Sequence, residues 1–444
     1  MDRLLNLDLD FEKYDRVLDF TRVTKDVGKV THVTGFLLQG YLPGASLGSL
    51  VEVYPSTKGK PFLAEVVGFR DRSILFMPLG EMRGVGLGSK IILVRQMASV
   101  GVGDELLGRV IDALGNPVDN KGPISLSGEN PLYRDSANPM DRPPIDTPID
   151  LGIRAINGFT TVGQGQRVGI MAGSGVGKSV LLGMVARSTN ADVNVIALIG
   201  ERGREVREFL EKDLGAEGLS RSVVIVATSD QSPLLRMRGA FVASAIAEYF
   251  STQGKNVLLM MDSVTRFAMA QREVGLSTGE PPATKGYTPS VFSLLPKLLE
   301  RAGNFERGSI TGIFTVLVEG DEMDDPIADS VRSIVDGHIV LDRGLAHKGH
   351  FPAVDVLQST SRVMRSIVPS EVIKISRELR EMMAVYRDAE DLIRIGAYKQ
   401  GANKTIDRAI ALEPVIKSFL MQEIEDKSNL QDTFRFMEEI SHQG

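Results

Sequence analysis

Hydrophobic and polar positions follow a short-strand pattern between residues 21 and 95. Apolar and β-branched runs of a few residues alternate with glycines in this stretch. Such runs between turns predict β-strands, and a series of them predicts a small barrel or sandwich. The predicted strands are Val30–Val33, Phe36–Gln39, Leu50–Tyr54, Ala64–Phe69 and Ser73–Met77.

A different pattern begins at Arg167, where continuous apolar runs alternate with helical periodicity. Apolar strands separated by helices predict a mostly parallel sheet that is covered on both faces. The predicted strands are Arg167–Met171, Asn194–Ile199, Val223–Ala227, Val257–Met261 and Ile310–Val318.

Helical periodicity dominates the chain from Pro369 to its end. We expect Pro414 to break or kink the middle helix, because proline lacks the backbone N–H and its ring clashes with the preceding turn. The predicted helices are Ser370–Ile395, Lys404–Lys417 and Leu430–Ile440.

These patterns predict an α/β protein with four parts. The barrel covers 21–95, an α/β domain covers 96–368 and a helical domain covers 369–444. A proline-rich stretch over 116–150 is predicted to be an ordered, irregular strap, because proline fixes φ and cannot donate to a β-ladder. Residues 1–20 mix leucines with acids, which is compatible either with a terminal element packed on the next domain or with a docking segment.

Composition narrows the class of protein. The 444 residues are 43% hydrophobic and 24% charged, as in ordinary globular chains. Apolar runs such as Val257–Met261 are too short to span a bilayer, and a secretory signal is not expected. The absence of cysteine excludes disulfides and thiolate metal sites. A net charge of −6 gives no global basic footprint for nucleic acid, although it is compatible with a local basic groove. No nucleic-acid partner is expected.

A phosphate-binding loop follows the predicted strand 167–171 and precedes a helical run. The strict signature has glycine where this chain has Ala172, but the remaining glycines preserve the loop. Backbone N–H groups in such a loop turn toward phosphate oxygens, and the helix N-terminus adds positive charge. The predicted nucleotide-binding residues are Gly173, Ser174, Gly175, Val176, Gly177, Lys178, Ser179 and Val180.

Particular side chains in and near this loop have predicted roles. Lys178 can reach the β- and γ-phosphates of ATP, and the Ser179 hydroxyl can ligate Mg²⁺. Asp262 closes strand 257–261, which suits a residue that holds Mg²⁺, although such an aspartate can also be a helix N-cap. Glu201 follows strand 194–199, so it can approach the γ-phosphate and polarise a water, although residues 200–205 can equally be a solvated charge run.

Four segments together resemble the rotary ATP synthase subunits and, more closely, the ATPases of type III protein export. They are AGSGVGKS at 172–179, GERGREV at 200–206, the stretch 257–266 containing LLMMDSVTR, and FPAVDVLQSTSR at 351–362. GEPPATKGYTPSVFSLLPKLLERAG at 279–303 and the stretch 317–343 are similar to the export group. Within that group the chain most resembles the flagellar export ATPase, and the resemblance implies a RecA-like central domain.

The resemblance also implies roles for residues that the pattern alone leaves open. Glu201 would be the catalytic glutamate that polarises the attacking water, and Arg202 would position Glu201 or phosphate. Arg362 would reach into the site of a neighbouring subunit, where a guanidinium stabilises the transferring phosphoryl group. Phe351 would stack on adenine, with Tyr398 a weaker candidate for the other face of the base.

An arginine supplied to a neighbour requires a ring, so the resemblance implies a homohexamer. The loop Lys285–Pro289 would face its central channel and a stalk protein, although it can also be a plain glycine-proline loop. Residues 1–20 would dock a stator-like regulator, and further partners would be export chaperones and the export gate. The location implied is cytoplasmic, peripheral at the inner membrane through export-apparatus partners.

The implied function is hydrolysis of Mg-ATP in flagellar protein export, promoting chaperone release and substrate entry. Four other functions remain open at this stage. They are an injectisome secretion ATPase, an RNA-stimulated hexameric translocase, a regulatory ring that binds nucleotide without hydrolysing it, and a rotary ATP synthase subunit, against which the match over 279–343 argues. The translocase requires stacking aromatics on the N-terminal domain. The aromatic residues of 21–95 are predicted to be core, which disfavours it.

Overall fold

The computed structural model describes residues 25–135, 137–318 and 325–443. They form two compact units, one ending at Ala98 and the other beginning at Ser99. Within these ranges no helix combines the length and the hydropathy that crossing a membrane requires. Segment 1–20 lies outside the described residues, and the finer boundaries at 95/96 and 368/369 stay predictions.

The first unit contains a closed six-stranded antiparallel barrel. Its strand order is β1-β2-β5-β4-β3-β6, which confirms the predicted barrel and adds a sixth strand that the sequence pattern missed. Closure leaves no exposed sheet edge. The strands are β1 Val27–Thr34, β2 Leu37–Tyr41, β3 Leu50–Tyr54, β4 Phe62–Arg70, β5 Ser73–Pro78 and β6 Lys90–Arg95.

Aliphatic side chains, more than aromatic ones, fill the barrel. Leu38, Val51, Ile91 and Phe76 are fully buried in its core. The prediction that the aromatic residues of this region are core is wrong for three of them, since the side chains exposed by more than half are Phe36, Tyr41 and Phe69. A small barrel holds few side chains inside, and alternate positions of each strand face outward.

The second unit is built on a mostly parallel sheet. The strand order is β19-β18-β12-β17-β15-β13-β14-β8, with β19 antiparallel to β18 and a short β16 antiparallel to β17. The strands of the whole second unit, including those of two small two-stranded sheets, are β7 Ser99–Val102, β8 Arg109–Asp112, β9 Gly128–Pro131, β10 Pro148–Ile149, β11 Val162–Gly163, β12 Arg167–Ala172, β13 Val193–Ile199, β14 Ser222–Ala227, β15 Asn256–Asp262, β16 Gly303–Asn304, β17 Ser309–Leu317, β18 Gly337–Leu341 and β19 Val354–Ser361.

All five strands predicted after Arg167 are present, whereas β8, β18 and β19 were not predicted. The five are buried along almost their whole length, which is why they form continuous apolar runs. By contrast, β19 alternates buried with more exposed positions at an edge of the sheet. Edge strands carry a weaker hydrophobic signal because only part of their surface is covered.

Helices cover this sheet and complete the second unit. They are α1 Arg154–Phe159, α2 Lys178–Ser188, α3 Gly203–Glu208, α4 Gly215–Ser220, α5 Pro233–Thr252, α6 Val264–Thr278, α7 Pro289–Leu299, α8 Pro326–Ile334, α9 Arg343–His347, α10 Met364–Ile367, α11 Ser370–Arg394, α12 Lys404–Leu420 and α13 Leu430–Ser441. A π-helical turn over Phe209–Leu214 separates α3 from α4.

The C-terminal helices match their predicted positions, but Pro414 does not break α12. The helix runs without interruption from Lys404 to Leu420. A proline inside a helix costs about 3 kcal/mol because it removes one backbone hydrogen bond. Burial of one helix face offsets that cost; its buried residues are Ala409, Leu412, Ile416, Phe419 and Leu420.

The proline-rich strap is held by contacts to the sheet domain. Strand β9 within it pairs with β7, and the short β10 pairs with β11. The Arg142 guanidinium donates to the backbone carbonyl of Ala302 at 3.0 Å. A buried ion pair lies beside it, because Arg301 donates to Glu248 at 2.7 and 2.9 Å and to the Leu132 carbonyl at 2.6 Å.

Breaking this buried ion pair should lower the free energy of unfolding more than breaking an exposed pair does. The Arg301 side chain is only 2% exposed, so Glu248→Ala leaves a buried, unpaired cation. Removing one partner of a buried pair costs about 3–5 kcal/mol in the free energy of unfolding. Denaturant unfolding of the full chain should show this loss. Glu211→Ala, which breaks an exposed pair with Arg207, should leave the midpoint unchanged. Equal midpoints for both variants would contradict the prediction.

Candidate active site

The phosphate loop lies where the central strand β12 ends and α2 begins. Gly175 and Gly177 adopt left-handed backbone conformations, with φ of 78° and 91°. A side chain is strained at such angles, and the space beside Gly175 is open. Val176 is buried below the loop, while Ser174 and Ser179 are exposed. The loop therefore presents its backbone and the start of α2 to solvent, as a phosphate cradle requires.

Three charged side chains meet at the carboxyl edge of the sheet. Lys178 forms an ion pair with Asp262, and its Nζ lies 3.8 Å from Glu201 Oε1. Lys178 begins α2, whereas Asp262 ends β15 and Glu201 follows β13. These strands are parallel and close in the sheet order, so the fold brings all three residues together.

Thr315 is a supporting residue that the sequence pattern missed. Its hydroxyl donates to Asp262 Oδ1 at 2.8 Å from the neighbouring strand β17. Both side chains are buried, so this hydrogen bond fixes the orientation of the carboxylate. A threonine inside a buried strand gives no sequence signal of this role, because such residues are common in sheets.

Glu201 is poised to exchange a proton near neutral pH. Burial raises its pKa to about 7, helped by the negative charge of Asp262 and opposed by Lys178. A hydrogen bond to the Glu205 carboxyl raises it further. A carboxyl group that titrates near the working pH suits a general base.

Arg202 lies on the solvent side of Glu201. Its side chain is 74% exposed, and its guanidinium donates to Glu205 Oε1 at 3.0 Å. The side-chain partner of Arg202 is therefore Glu205, so any positioning of Glu201 by Arg202 is indirect. Arg202 holds Glu205, and Glu205 in turn contacts Glu201. The sequence pattern gave no role to Glu205.

Phe351 lies beside the phosphate loop. Its ring carbons are 3.6 and 3.7 Å from the position that a Cβ at Gly177 would occupy, and 47% of the residue is exposed. Its backbone carbonyl accepts a hydrogen bond from the Gln422 amide at 2.9 Å, just beyond α12. An exposed ring next to the loop can stack on a base.

Tyr398 does not lie on the opposite side of that base, so its predicted role is wrong. Its hydroxyl bonds to the Asn403 carbonyl and to Asp407, each at 2.9 Å, at the start of α12. Phe351 is held just beyond the other end of α12 through Gln422. The 17 residues of this helix separate the two ends by about 25 Å. The hairpin between α11 and α12 thus carries Tyr398 away from the loop.

Arg362 lies at the opposite edge of the sheet from the phosphate loop. Strand β19 begins beside Leu341, which pairs with Ala172 at the loop, and it ends with Ser361 paired to Gly337. Both ends of β19 pair with β18, whose five residues separate them by about 13 Å along the strand direction. The Arg362 side chain is exposed, and its amide donates to the Asp336 carbonyl at 2.9 Å. Within one chain the fold therefore places Arg362 away from the loop.

Arg266 contributes an unassigned positive charge near Glu201. Its side-chain carbons crowd Gly200, where an added Cβ would lie 2.7 Å from the Arg266 Cβ. The Nε atom is buried without a hydrogen-bond partner, and the nearest acceptor of Nη1 is the Met269 sulfur at 3.8 Å. Buried donors in proteins normally have partners, so the unpaired Nε of Arg266 is an exception.

The oxygen atoms near Lys178 fit a magnesium ion. Mg²⁺ prefers carboxylate, hydroxyl and water oxygens over nitrogen or sulfur. Asp262 supplies a buried carboxylate at the end of β15, and Ser179 supplies an exposed hydroxyl on the first turn of α2. Only Oδ1 of Asp262 receives the Thr315 hydroxyl and the Lys178 ammonium. The donor set therefore matches the chemistry of the ion.

Two protein-family models match the chain. The nucleotide-binding domain of the ATP synthase alpha/beta family matches residues 152–361. The T3SS EscN ATPase C-terminal domain matches residues 368–439. The first match contains the phosphate loop, Glu201 and Asp262, and the second contains α11, α12 and most of α13.

Individual relatives are similar over almost the whole chain. The flagellum-specific ATP synthase of Bacillus subtilis (strain 168) is 52% identical over 419 residues, covering 94% of this chain and 95% of the relative. The type 3 secretion system ATPase of Sinorhizobium fredii (strain NBRC 101917 / NGR234) is 46% identical, covering 95% and 93%.

A solved relative has the same fold. The assembled ATPase EscN from the type III secretion system of enteropathogenic E. coli superposes with a TM-score of 0.87 at 46% identity, covering 93% of this chain and 99% of EscN. EscN in complex with its central stalk EscO gives a TM-score of 0.86. Because sequence and fold agree over nearly the full length, this chain belongs to the ATP synthase alpha/beta family, as an ATPase of the type III protein export group.

Proposed function

We propose that the chain hydrolyses Mg-ATP in the flagellar type III export apparatus, where turnover promotes chaperone release and substrate entry. The observation that carries this proposal is the position of Glu201 beside Lys178 at the phosphate-loop edge. A carboxyl group there can take a proton from a water that attacks the γ-phosphate. Phosphoryl transfer otherwise depends on positioning and charge stabilisation.

Each site residue has a task in this proposal. The loop residues Gly173–Val180 bind the phosphates through backbone N–H groups, and Lys178 contacts the β- and γ-phosphates. Ser179 and Asp262 would hold Mg²⁺, which neutralises charge on the phosphates when bound. Phe351 stacks on adenine.

We further propose that the active assembly is a homohexamer with shared sites. Arg362 lies at the edge of the sheet opposite the phosphate loop of its own chain, which suits a residue that serves the loop of a neighbour. Such head-to-tail contacts close into rings. The similarity to EscN, which was solved as an assembled ATPase, supports this arrangement.

The proposed partners follow from the same relatives. EscN binds a central stalk, which supports a stalk protein at the loop Lys285–Pro289 of this chain. In this loop Lys285 is exposed, whereas Tyr287 is buried against Phe292 and Arg272. A stator-like regulator at residues 1–20, chaperones, the export gate and a cytoplasmic, membrane-peripheral location complete the proposal.

Glu201→Gln tests the central step. Glutamine keeps the shape but cannot accept the proton, so kcat should fall at least 100-fold while ATP still binds. Steady-state hydrolysis and nucleotide titration measure the two effects. Glu211→Gln, an exposed change in the π-helical turn after α3, is the control and should hydrolyse normally. Undiminished turnover in Glu201→Gln would reject the proposed base.

The same variant separates the flagellar from the injectisome assignment in cells. Replacing the native gene with Glu201→Gln should abolish secretion of flagellar subunits and swimming motility. If motility persists while injectisome secretion stops, the alternative assignment is correct. Turnover stimulated strongly by single-stranded RNA would instead favour a translocase.

Shared sites predict complementation between two inactive variants. Arg362→Ala should lower turnover about 10³- to 10⁵-fold, as expected for an arginine that stabilises phosphoryl transfer. Mixing it with Glu201→Gln creates interfaces that combine intact Glu201 from one subunit with intact Arg362 from the next. Turnover of the mixture should therefore exceed the sum of the separate variants. Strictly additive rates, with mixed assembly confirmed by sizing, would exclude a shared site.

The pKa of Glu201 predicts the pH dependence. Below a pKa of about 7 the carboxyl is protonated and cannot act as a base. In the free enzyme, kcat/KM should therefore rise with pH through about 7 and fall roughly tenfold for each pH unit below it. Stopped-time assays between pH 5.5 and 8.5 measure the profile. A flat profile over this range would contradict the prediction.

A further inference from the structure

The ring of Phe351 has little packing of its own to hold it beside the phosphate loop. Almost half of the residue is exposed. Within the described chain its backbone makes one hydrogen bond, in which its carbonyl accepts from the backbone amide of Gln422 at 2.9 Å. An exposed side chain is not fixed by its neighbours, so the place of the ring follows from the place where the backbone is held. Gln422 is therefore the anchor of Phe351.

The side chain of Gln422 is itself fixed at three points. The residue is only 5% exposed, and its amide group is fully hydrogen-bonded. Its Oε1 accepts from the backbone amide of Arg154 at 3.0 Å, and its Nε2 donates to the carbonyls of Gly152 at 2.8 Å and Asp426 at 3.0 Å. One acceptor and two donors are the hydrogen-bonding capacity that these partners require of a glutamine here. Gln422 thus holds Phe351 from a rigid position.

Arg154 answers these bonds from the start of α1. The first N–H groups of a helix lack partners within it, and the residue before this helix, Ile153, supplies no side-chain cap. Gln422 Oε1 takes one of those N–H groups. In return the Arg154 guanidinium donates from Nε to the Phe419 carbonyl at 2.7 Å and from Nη2 to the Met421 carbonyl. Arg154 and Gln422 form a reciprocal clamp on the chain that follows α12.

A simpler interpretation is that this clamp only attaches the C-terminal helices to the sheet domain. Arg380 on α11 already makes such an attachment, because it donates to the carbonyls of Val356 at 2.7 Å and Phe159 at 2.6 Å. Those carbonyls belong to β19 and α1. Attachment alone requires no bond to a residue beside the phosphate loop. The hydrogen bond from Gln422 to Phe351 is what this interpretation leaves unexplained.

We propose that Gln422 is a positioning residue which, held by Arg154, keeps the Phe351 ring where it stacks on adenine. This proposal rests on the stacking role given to Phe351 above. It assigns the affinity for the base to the clamp and leaves the affinity for the phosphates to the phosphate loop. Loss of the clamp should therefore weaken the binding of adenine nucleotides and spare both the binding of a bare phosphate chain and the chemical step.

Gln422→Met tests this division, because methionine has a similar length and cannot make the three hydrogen bonds. The KM for ATP and the Kd for ADP should rise about tenfold, the size expected for a lost contact between a base and an aromatic ring. The kcat should stay within about twofold of the parent value, since the interaction lost is one of binding. Inorganic tripolyphosphate, which lacks a base, should inhibit hydrolysis with an unchanged inhibition constant. An equal loss of affinity for ADP and tripolyphosphate would overturn the proposal.

Gln166→Met is the matched control. Gln166 is also buried and makes three side-chain hydrogen bonds, but at the edge of the sheet opposite the phosphate loop. Its partners are the Gly163 amide at 2.8 Å, the Asp336 carbonyl at 3.0 Å and the Ser361 hydroxyl at 3.2 Å. The variant should lose stability in denaturant and bind ADP as the parent does. If its ADP affinity falls as far as that of Gln422→Met, affinity follows stability and the proposal is rejected.

Fluorescence reports the position of the ring directly. The chain contains no tryptophan, so Phe351→Trp introduces a single emitter, which a stacked adenine should quench. Adding Gln422→Met to this variant should move the midpoint of the ADP titration to about tenfold higher concentration. An unmoved midpoint would overturn the proposal. If the double variant does not fold, Arg154→Lys replaces Gln422→Met, because lysine cannot reproduce the two-carbonyl fork; the midpoint should then rise about two- to threefold, and no rise would overturn the proposal.

The outcomes also separate this proposal from the one on which it rests. If Phe351→Ala binds ADP as the parent does, the stacking role of Phe351 is rejected, and the role of Gln422 is rejected with it. If Phe351→Ala loses affinity while Gln422→Met keeps it, only the clamp is rejected. Neither result bears on Glu201, whose own variant tests the proposed hydrolysis.

Discussion

The site depends on the contact between Lys178 and Asp262 at the carboxyl edge of the sheet. Both side chains are nearly buried, and removing one partner of such a pair leaves an uncompensated charge. Their contact requires β12, β17 and β15 to keep their order, since Lys178 follows β12 and Asp262 ends β15. The Thr315 hydroxyl on β17 donates a hydrogen bond to the same carboxylate. The central strands therefore position the catalytic charges as well as the hydrophobic core.

Strand β19 sets a second constraint, because it connects functions at opposite edges of the sheet. Phe351 precedes the strand near the phosphate loop, and Arg362 follows it at the far edge. The two ends of the strand pair with opposite ends of β18, so they lie at opposite edges of the sheet. A chain that uses both residues in catalysis would therefore share its sites with another copy. Nucleotide binding by one subunit and stabilisation of the phosphoryl charge by Arg362 of the next would then depend on each other.

Burial gives Glu201 its chemical character. Withdrawal from water raises the pKa of a carboxyl, and the Asp262 charge raises it further, while Lys178 limits the shift. A solvated glutamate in the same motif would be ionised at neutral pH and would be a weaker base. The Glu205 carboxyl adds to the same shift of the pKa.

The sequence by itself determined the elements whose signals are local. The continuous apolar strands, the glycine-rich loop and the C-terminal helices were predictable because period and turn chemistry depend on neighbouring residues. Thr315, Glu205 and Arg266 were not assigned roles, because their partners lie on other strands or helices or depend on side-chain packing. Tyr398 was misplaced because the length of α12 carries it away from Phe351, and Pro414 is tolerated because tertiary burial outweighs a lost hydrogen bond. Only the tertiary structure decided which charges meet, since contact between distant residues is set by strand order and packing and has no period along the chain.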